Sequence, residues 1–373
     1  IAKYTDYSLE TFPLPLEGDQ FVAYIDQTKN KIIFVTGNGI FFSLNKKNIE
    51  TKEIDLTEIK SNINKIIKNK NFYKSNHQSI RDLLIYKNSI FISYVNEVNK
   101  NCYNTSILKA DLNFENLKFN QFITNSECQI LKTFSEIRRS GGRISPYKEN
   151  KILLSIGDFG NRPIAQDANS LFGKIISIDI LTKKHKIISI GHRNPQGLYY
   201  DKNNDVILNT EHGPKGGDEL NININPNNNF SKNYGWPISS YGEHYDGKFR
   251  EEAPLNKSHE KFGFIEPLKY YNPSIAISEI IKIPNSLKKT KNIEFLITSL
   301  GYTIEEGDLS IHHIQIDNEY NRIISENIIP IGERIRDILI IEEMNLVLLI
   351  LENIHYVDLR NPVTLGVLKI KQR

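Results

Sequence analysis

Apolar positions recur along this chain in short runs that pair off across polar loops. The pairs are Lys31–Val35 with Gly39–Leu44, Ser89–Tyr94 with Ser106–Leu112, Lys151–Ile156 with Lys174–Ile180, Asp205–Asn209 with Glu219–Ile224, Glu294–Ser299 with His312–Asp317, and Leu346–Leu351 with Ile354–Leu359. β-Branched and aromatic residues fill the runs, and Gly, Asn and Asp separate them, as in strands joined by turns. Successive copies begin roughly 50–60 residues apart, with one gap of about 90, a spacing expected of propeller blades. A lone four-stranded sheet leaves apolar faces and unpaired edges, whereas blades packed radially cover one another's faces. The pattern therefore predicts an all-β, six-bladed β-propeller, with residues 1–373 as a single domain. A β-sandwich is the competing all-β arrangement and accommodates six copies less well.

One segment departs from strand periodicity. In Asp55–Lys70 the apolar Ile59, Ile63, Ile66 and Ile67 fall at helical spacing, and Asp55 with Glu58 has the form of a capping box. The spacing predicts a helix there, with its lysines on a solvated face.

Composition changes this picture little. Of 373 residues, 39% are hydrophobic and 24% charged, ordinary for a folded globular protein. The net charge of +3 gives no general electrostatic case for nucleic acid or an acidic membrane surface. No apolar run approaches the ~20 residues that cross a bilayer. The chain begins at Ile1 and its single Met, Met344, lies well inside, which reads as a processed or trimmed start, so a missing leader does not argue for the cytoplasm. Cys102 and Cys128 either pair in an oxidising compartment or remain thiols in a reducing one. No Gly-x-Ser-x-Gly elbow, Walker loop or metal-spaced His/Glu helix occurs. Asp201–Asp205 lacks the Gly and Glu of a calcium loop and reads as a hairpin turn.

Candidate chemistry concentrates between Gly191 and Tyr245. There the chain reads Gly191-His192-Arg193-Asn194-Pro195-Gln196-Gly197, then Glu211-His212-Gly213-Pro214-Lys215-Gly216-Gly217-Asp218-Glu219, then Asn233-Tyr234-Gly235-Trp236-Pro237. Glycines beside Pro, His, Arg and acids at strand ends suit loops whose backbone approaches a ligand closely.

These segments resemble the signatures of the PQQ-dependent soluble aldose dehydrogenases, the glucose/sorbosone dehydrogenase family. Gly141-Gly142-Arg143 with Gly157-Asp158, Pro273-Ser274-Ile275-Ala276, and Arg334-Ile335-Arg336-Asp337 extend the resemblance from about Asp82 to the C-terminus. It implies a periplasmic or secreted oxidoreductase that uses PQQ and Ca²⁺ to oxidise an aldose or related sugar, passing electrons to an acceptor. By this resemblance Arg193, Asn194, Ser274, Arg334 and Arg336 contact PQQ, a tricarboxylated orthoquinone. Guanidinium forks suit carboxylates and quinone oxygens, and Arg334 and Arg336, two apart on a strand, face one side. The resemblance also places the carbonyls of Gly213 and Pro214 on the calcium that polarises PQQ, and matches Glu219 and Tyr234 to a second calcium site, separated here by additional Asn-rich residues.

The chain departs from the family at one decisive position. Active members carry a His, the general base, four residues before the Arg of Gly-Gly-Arg, and this chain has Arg139. A guanidinium stays protonated and cannot accept the sugar's hydroxyl proton. Asp158, which matches the residue orienting that base, is expected to pair with Arg139 instead. Ser299-Leu300-Gly301 lacks a Lys that contacts PQQ in some members, and Asn272 replaces a frequently aromatic residue near the substrate. His77 with Gln78 falls near a PQQ-contacting Gln of the family. Two functions follow: a PQQ- and calcium-dependent sugar dehydrogenase, or a non-catalytic propeller acting as a ligand- or protein-binding module. The sequence carries no signal of oligomeric state.

Overall fold

A computed structural model describes residues 7–14, 22–67, 79–131, 133–226, 231–288, 290–302, 307–352 and 363–370. Among these residues are six antiparallel-based sheets. Their innermost strands are Ala23–Gln27, Ile80–Tyr86, Gly141–Tyr147, Pro195–Asp201, Ile277–Lys282 and Arg334–Ile341. Each touches the next in chain order and the last touches the first, so the sheets close into a six-bladed propeller. We number the blades 1–6 in that order. No helix among the described residues is long and apolar enough to cross a membrane.

The paired runs form the middle strands of the blades. Lys31–Thr36 pairs with Phe41–Asn45 and Ser89–Asn99 with Cys102–Asp111. Lys151–Ile156 pairs with Lys174–Asp179, Val206–Glu211 with Asp218–Ile224, and Ile293–Ser299 with Ser310–Ile316. The sixth pair differs. Ile354–Leu359 lies outside the described residues, and Leu346–Glu352 bonds instead to Val363–Ile370, whose other edge takes the N-terminal strand Tyr7–Pro13. Blade 6 therefore joins the two ends of the chain. Residues 201–205 are the expected hairpin turn.

The helix expected over Asp55–Lys70 is largely replaced by a strand. Thr57–Ser61 completes blade 1, with Ile59 buried opposite Phe41, and only Ile63–Ile67 is helical within the described part. The free edge of Phe41–Asn45 needs hydrogen-bond partners, and that demand outweighs the local periodicity.

The innermost strands have an edge facing the central channel, and carboxylates from neighbouring blades satisfy their N–H groups. Asp337 accepts from Ile25 N at 2.8 Å, Asp26 from Ile85 N at 2.6 Å, Asp82 from Ile144 N at 2.7 Å, and Glu279 from Leu198 N at 3.3 Å. Arg143 lies at their centre. Its guanidinium is 3.1 Å from Asp82, 2.9 Å from Glu279 and 3.3 Å from Asp337, and donates to the carbonyls of Gln196 and Arg336 at 2.7 Å each. Burial works against this charge, but Glu279, Asp82 and Asp337 hold its pKa above the ordinary value. Burial in turn pushes Asp82 up to about 7 and Glu279 up to about 8, and raises Asp337. This knot divides the channel. One cavity opens where the inner strands end, and the other where they begin.

Candidate functional site

The cavity at the beginning of the inner strands has a volume of about 430 Å³. Arg81 of blade 2, Arg138 and Arg139 before blade 3, Arg193 before blade 4, and Arg334 and Arg336 of blade 6 all line it. Asp218 is the one carboxylate among the described lining residues, and burial pushes it up to about 6.

Arg334 and Arg336 face the same side, as their spacing predicts, and share Glu352 through their Nε atoms at 3.1 and 2.6 Å. Arg334 also donates to the Leu300 carbonyl. Glu352 is buried, which favours its neutral form, but the two guanidiniums hold its pKa below the ordinary value. Arg139 pairs with Asp158 through Nε at 2.8 Å and through Nη2. Asp158 is fully buried and also accepts from Trp236 Nε1 at 2.9 Å and Gly160 N at 2.9 Å. The Trp236 ring carries Arg193 at 5.4 Å and Arg139 at 6.0 Å from its centroid, both within the range of cation–π attraction.

Arg193 and Arg81 differ from the other four. Both are buried, neither lies within ion-pair distance of a described carboxylate, and each has a buried Nε without a hydrogen-bond partner among the described residues. Arg193 donates to the His212 carbonyl at 2.8 Å. Burial, followed by the charge of Arg139, pulls its pKa down to about 10. His212 has an unpartnered buried Nε2, and burial beside Arg193 and Arg336 pushes its pKa down to about 3. It is therefore neutral at pH 7 and a weak base.

The structure brings most of the sequence-predicted residues to this cavity. Arg139, Arg193, Asn194, Gly213, Ser274, Arg334 and Arg336 line it, with Asp158 directly behind Arg139. Asn194 Oδ1 accepts from Gly141 N at 3.2 Å and Gln196 Nε2 at 3.0 Å. Pro214 is one contact back, its carbonyl accepting from Ser274 Oγ at 3.4 Å. Gly213 is required by its surroundings, since a Cβ there would overlap the Gly217 carbonyl oxygen. His77 and Gln78 lie outside the described residues. Arg81, Arg138 and Glu352 were not anticipated. Arg81 had a signal, a guanidinium beside Asp82 in the mostly apolar strand that opens blade 2.

Buried donors without acceptors, set in a cationic cavity, fit a polycarboxylated cofactor. No group of three or more His, Cys, Asp or Glu side chains that could hold a metal occurs among the described residues. A cation beside Gly213 would therefore rely on main-chain oxygens and on the ligand's own carboxylates. Glu219 and Tyr234 are also brought together, but away from the cavity. The buried imidazole of His259 lies between them, Nδ1 donating to the Tyr234 carbonyl at 2.9 Å and Nε2 standing 3.4 Å from Glu219. Glu219 and the Tyr234 carbonyl thus meet through an imidazole in this structure. His312 and His313 are engaged elsewhere, with Glu326 at 2.9 Å and Glu294 at 2.8 Å.

The sequence model of the Glucose / Sorbosone dehydrogenase family matches residues 82–354. The uncharacterized protein slr1608 of Synechocystis is 33% identical over 222 residues, covering 53% of this chain and 50% of its own. The aldose sugar dehydrogenase YliI of Escherichia coli is 30% identical over 213 residues, covering 53% of each chain. The chain thus spans about half the length of the curated relatives it matches. The PQQ-bound aldose sugar dehydrogenase of Streptomyces coelicolor superposes with a TM-score of 0.63 at 14% identity, over 98% of this chain and 99% of the other.

Proposed function

Because the chain belongs to the glucose/sorbosone dehydrogenase family, we propose that its cationic cavity binds PQQ with Ca²⁺ and oxidises an aldose or related sugar slowly. The observation that carries this reading is the charge of the cavity. Among the described residues, six guanidiniums stand against Asp158, Glu352 and Asp218, leaving three positive charges unmatched, and PQQ has three carboxylates. Arg193, Arg334 and Arg336 would hold those carboxylates and the quinone oxygens, with Asn194 and Ser274 beside them. The Gly213 and Pro214 carbonyls would hold the calcium. When bound, PQQ supplies the acceptor for a hydride from the sugar carbon.

The residues around that acceptor explain the slow rate. Arg139 cannot take the hydroxyl proton, and its guanidinium ties up Asp158. His212 is too weakly basic to replace a histidine of ordinary pKa. The proton must leave to water, and losing a positioned base costs about 10²–10⁴-fold in rate. The disulfide between Cys102 and Cys128 supports a periplasmic or secreted location.

Protein loaded with PQQ and Ca²⁺ is expected to reduce an artificial electron acceptor slowly when given aldoses. Arg139→His is expected to raise kcat by at least about tenfold, a fraction of the loss assigned to the missing base. Absence of turnover by both proteins over a broad sugar panel, with PQQ demonstrably bound, would sink the catalytic half of the proposal. The closed Arg139–Asp158 pair favours the second reading in that event, a non-catalytic propeller that binds a ligand or a protein partner.

A further inference from the structure

Arg81 is out of place by the logic of its strand. It sits in the innermost strand of blade 2 between buried Ile80 and the apolar run from Leu83, where a packed side chain would be expected. Its guanidinium instead reaches the cationic cavity. Nη2 donates to the Ile137 carbonyl at 2.7 Å, the Tyr24 hydroxyl provides a second contact, and buried Nε has no acceptor among the described residues. Neighbouring charges make its position worse. Arg336 and Arg138 both oppose it, and burial is the leading cause of a pKa pulled down to about 10.

The backbone is shaped to admit this side chain. Gly142 has φ +112°, and a Cβ there would overlap Arg81 Cβ and come within 2.9 Å of Cγ. Any other residue at 142 would therefore displace Arg81 from the cavity wall. A buried, unpaired guanidinium is strongly unfavourable unless an anion completes it. The residues Arg334, Arg336 and Arg139 already have carboxylate partners, and Arg138 is exposed to water.

We propose that Arg81 is a carboxylate-binding residue of the cavity, holding a polycarboxylated ligand from the blade 2 wall while Arg193 holds it from the blade 4 side. This rests on the reading of the cavity as the PQQ site and adds to it a contact outside the motifs that carry the family resemblance. The alternative role for Arg81 is structural, fastening the Ile137 carbonyl and with it the segment that carries Arg139.

The two roles predict opposite changes in the ligand-free protein. The chain's single tryptophan, Trp236, lies against Arg193 and reports binding through its fluorescence. Arg81→Met is expected to leave the thermal midpoint of the PQQ-free protein unchanged or raised. It is also expected to weaken PQQ binding by about 10–100-fold, the range for losing a charge-assisted hydrogen bond, while Arg81→Lys recovers part of the affinity. A lowered midpoint in the PQQ-free protein, or PQQ affinity equal to wild type, would overturn the proposal. Citrate, a small tricarboxylate, separates this idea from the function proposed above. If wild type fails to bind PQQ but citrate raises its midpoint and not that of Arg81→Met, the anion role stands and the cofactor assignment falls. If citrate moves neither, both fall.

Discussion

Replacing Arg143 with methionine removes the guanidinium that Asp82, Glu279 and Asp337 share at 3.1, 2.9 and 3.3 Å. It also frees the carbonyls of Gln196 and Arg336. Breaking a buried ion pair from one side costs about 3–5 kcal/mol, because charge is left without compensation. Protonation limits that cost. At about 1.4 kcal/mol per pH unit, neutralising an aspartate of ordinary pKa 3.8 at pH 7 costs about 4 kcal/mol, and a glutamate of 4.5 about 3. At pH 5 the same steps cost roughly 2 and 1 kcal/mol. The sign follows from folded-state values lying above the unfolded ones. Such carboxyls favour the fold at low pH, and their contribution disappears as pH rises through about 7 for Asp82 and about 8 for Glu279. Arg143→Met should therefore lose about 3–5 kcal/mol at pH 7 and recover more than half of it at pH 5. Urea unfolding at both pH values measures this, urea being chosen because it adds no salt. Equal losses at the two pH values, or a loss below about 1 kcal/mol at pH 7, would refute the electrostatic account of the knot.

Further predictions concern the cavity and the chain's covalent link. Glu352→Gln leaves Arg334 and Arg336 without their shared carboxylate. The PQQ-free protein should lose about 3 kcal/mol of stability, seen in urea, while PQQ binding tightens as two more guanidiniums become available. Raising ionic strength should weaken PQQ binding steadily, and a salt-independent Kd by Trp236 fluorescence would contradict recognition by charge. Reducing Cys102–Cys128, whose residues are 26 apart in sequence, should cost about 3.5 kcal/mol by loop entropy, read as a lower midpoint with dithiothreitol.

The ring of blades was legible because middle strands buried on both faces, such as Lys151–Ile156 and Leu346–Glu352, appear as apolar runs repeated along the chain. Outer strands have no such signature. Thr57–Ser61 has one buried residue, Ile59, in an exposed stretch, and that residue fitted a helical stripe as well as a strand. The true partner of Leu346–Glu352 was hidden because Val363–Ile370 follows a nearer apolar segment that reads equally well. In the cavity, Arg193, Arg334 and Arg336 were found through motifs, and the Arg139–Asp158 pair through the missing base. Arg81 has no motif around it, and a single arginine in a largely apolar strand usually marks an edge or a surface. The His259 ring between Glu219 and Tyr234 was beyond reach, since it comes from a distant connection whose path no local pattern encodes.

The strand Tyr7–Pro13 has a consequence for the order in which the molecule can be made. It is translated some 360 residues before its partner Val363–Ile370. At about 5–20 residues per second, that is a wait of roughly 20–70 s. During the wait the strand has no sheet to join and blade 6 does not exist, so the ring cannot lock. The clasp thus acts as a timer that keeps the propeller open until the last strand of blade 6 has been made. A gene permuted to start between blades 5 and 6 would make blade 6 first and remove the delay.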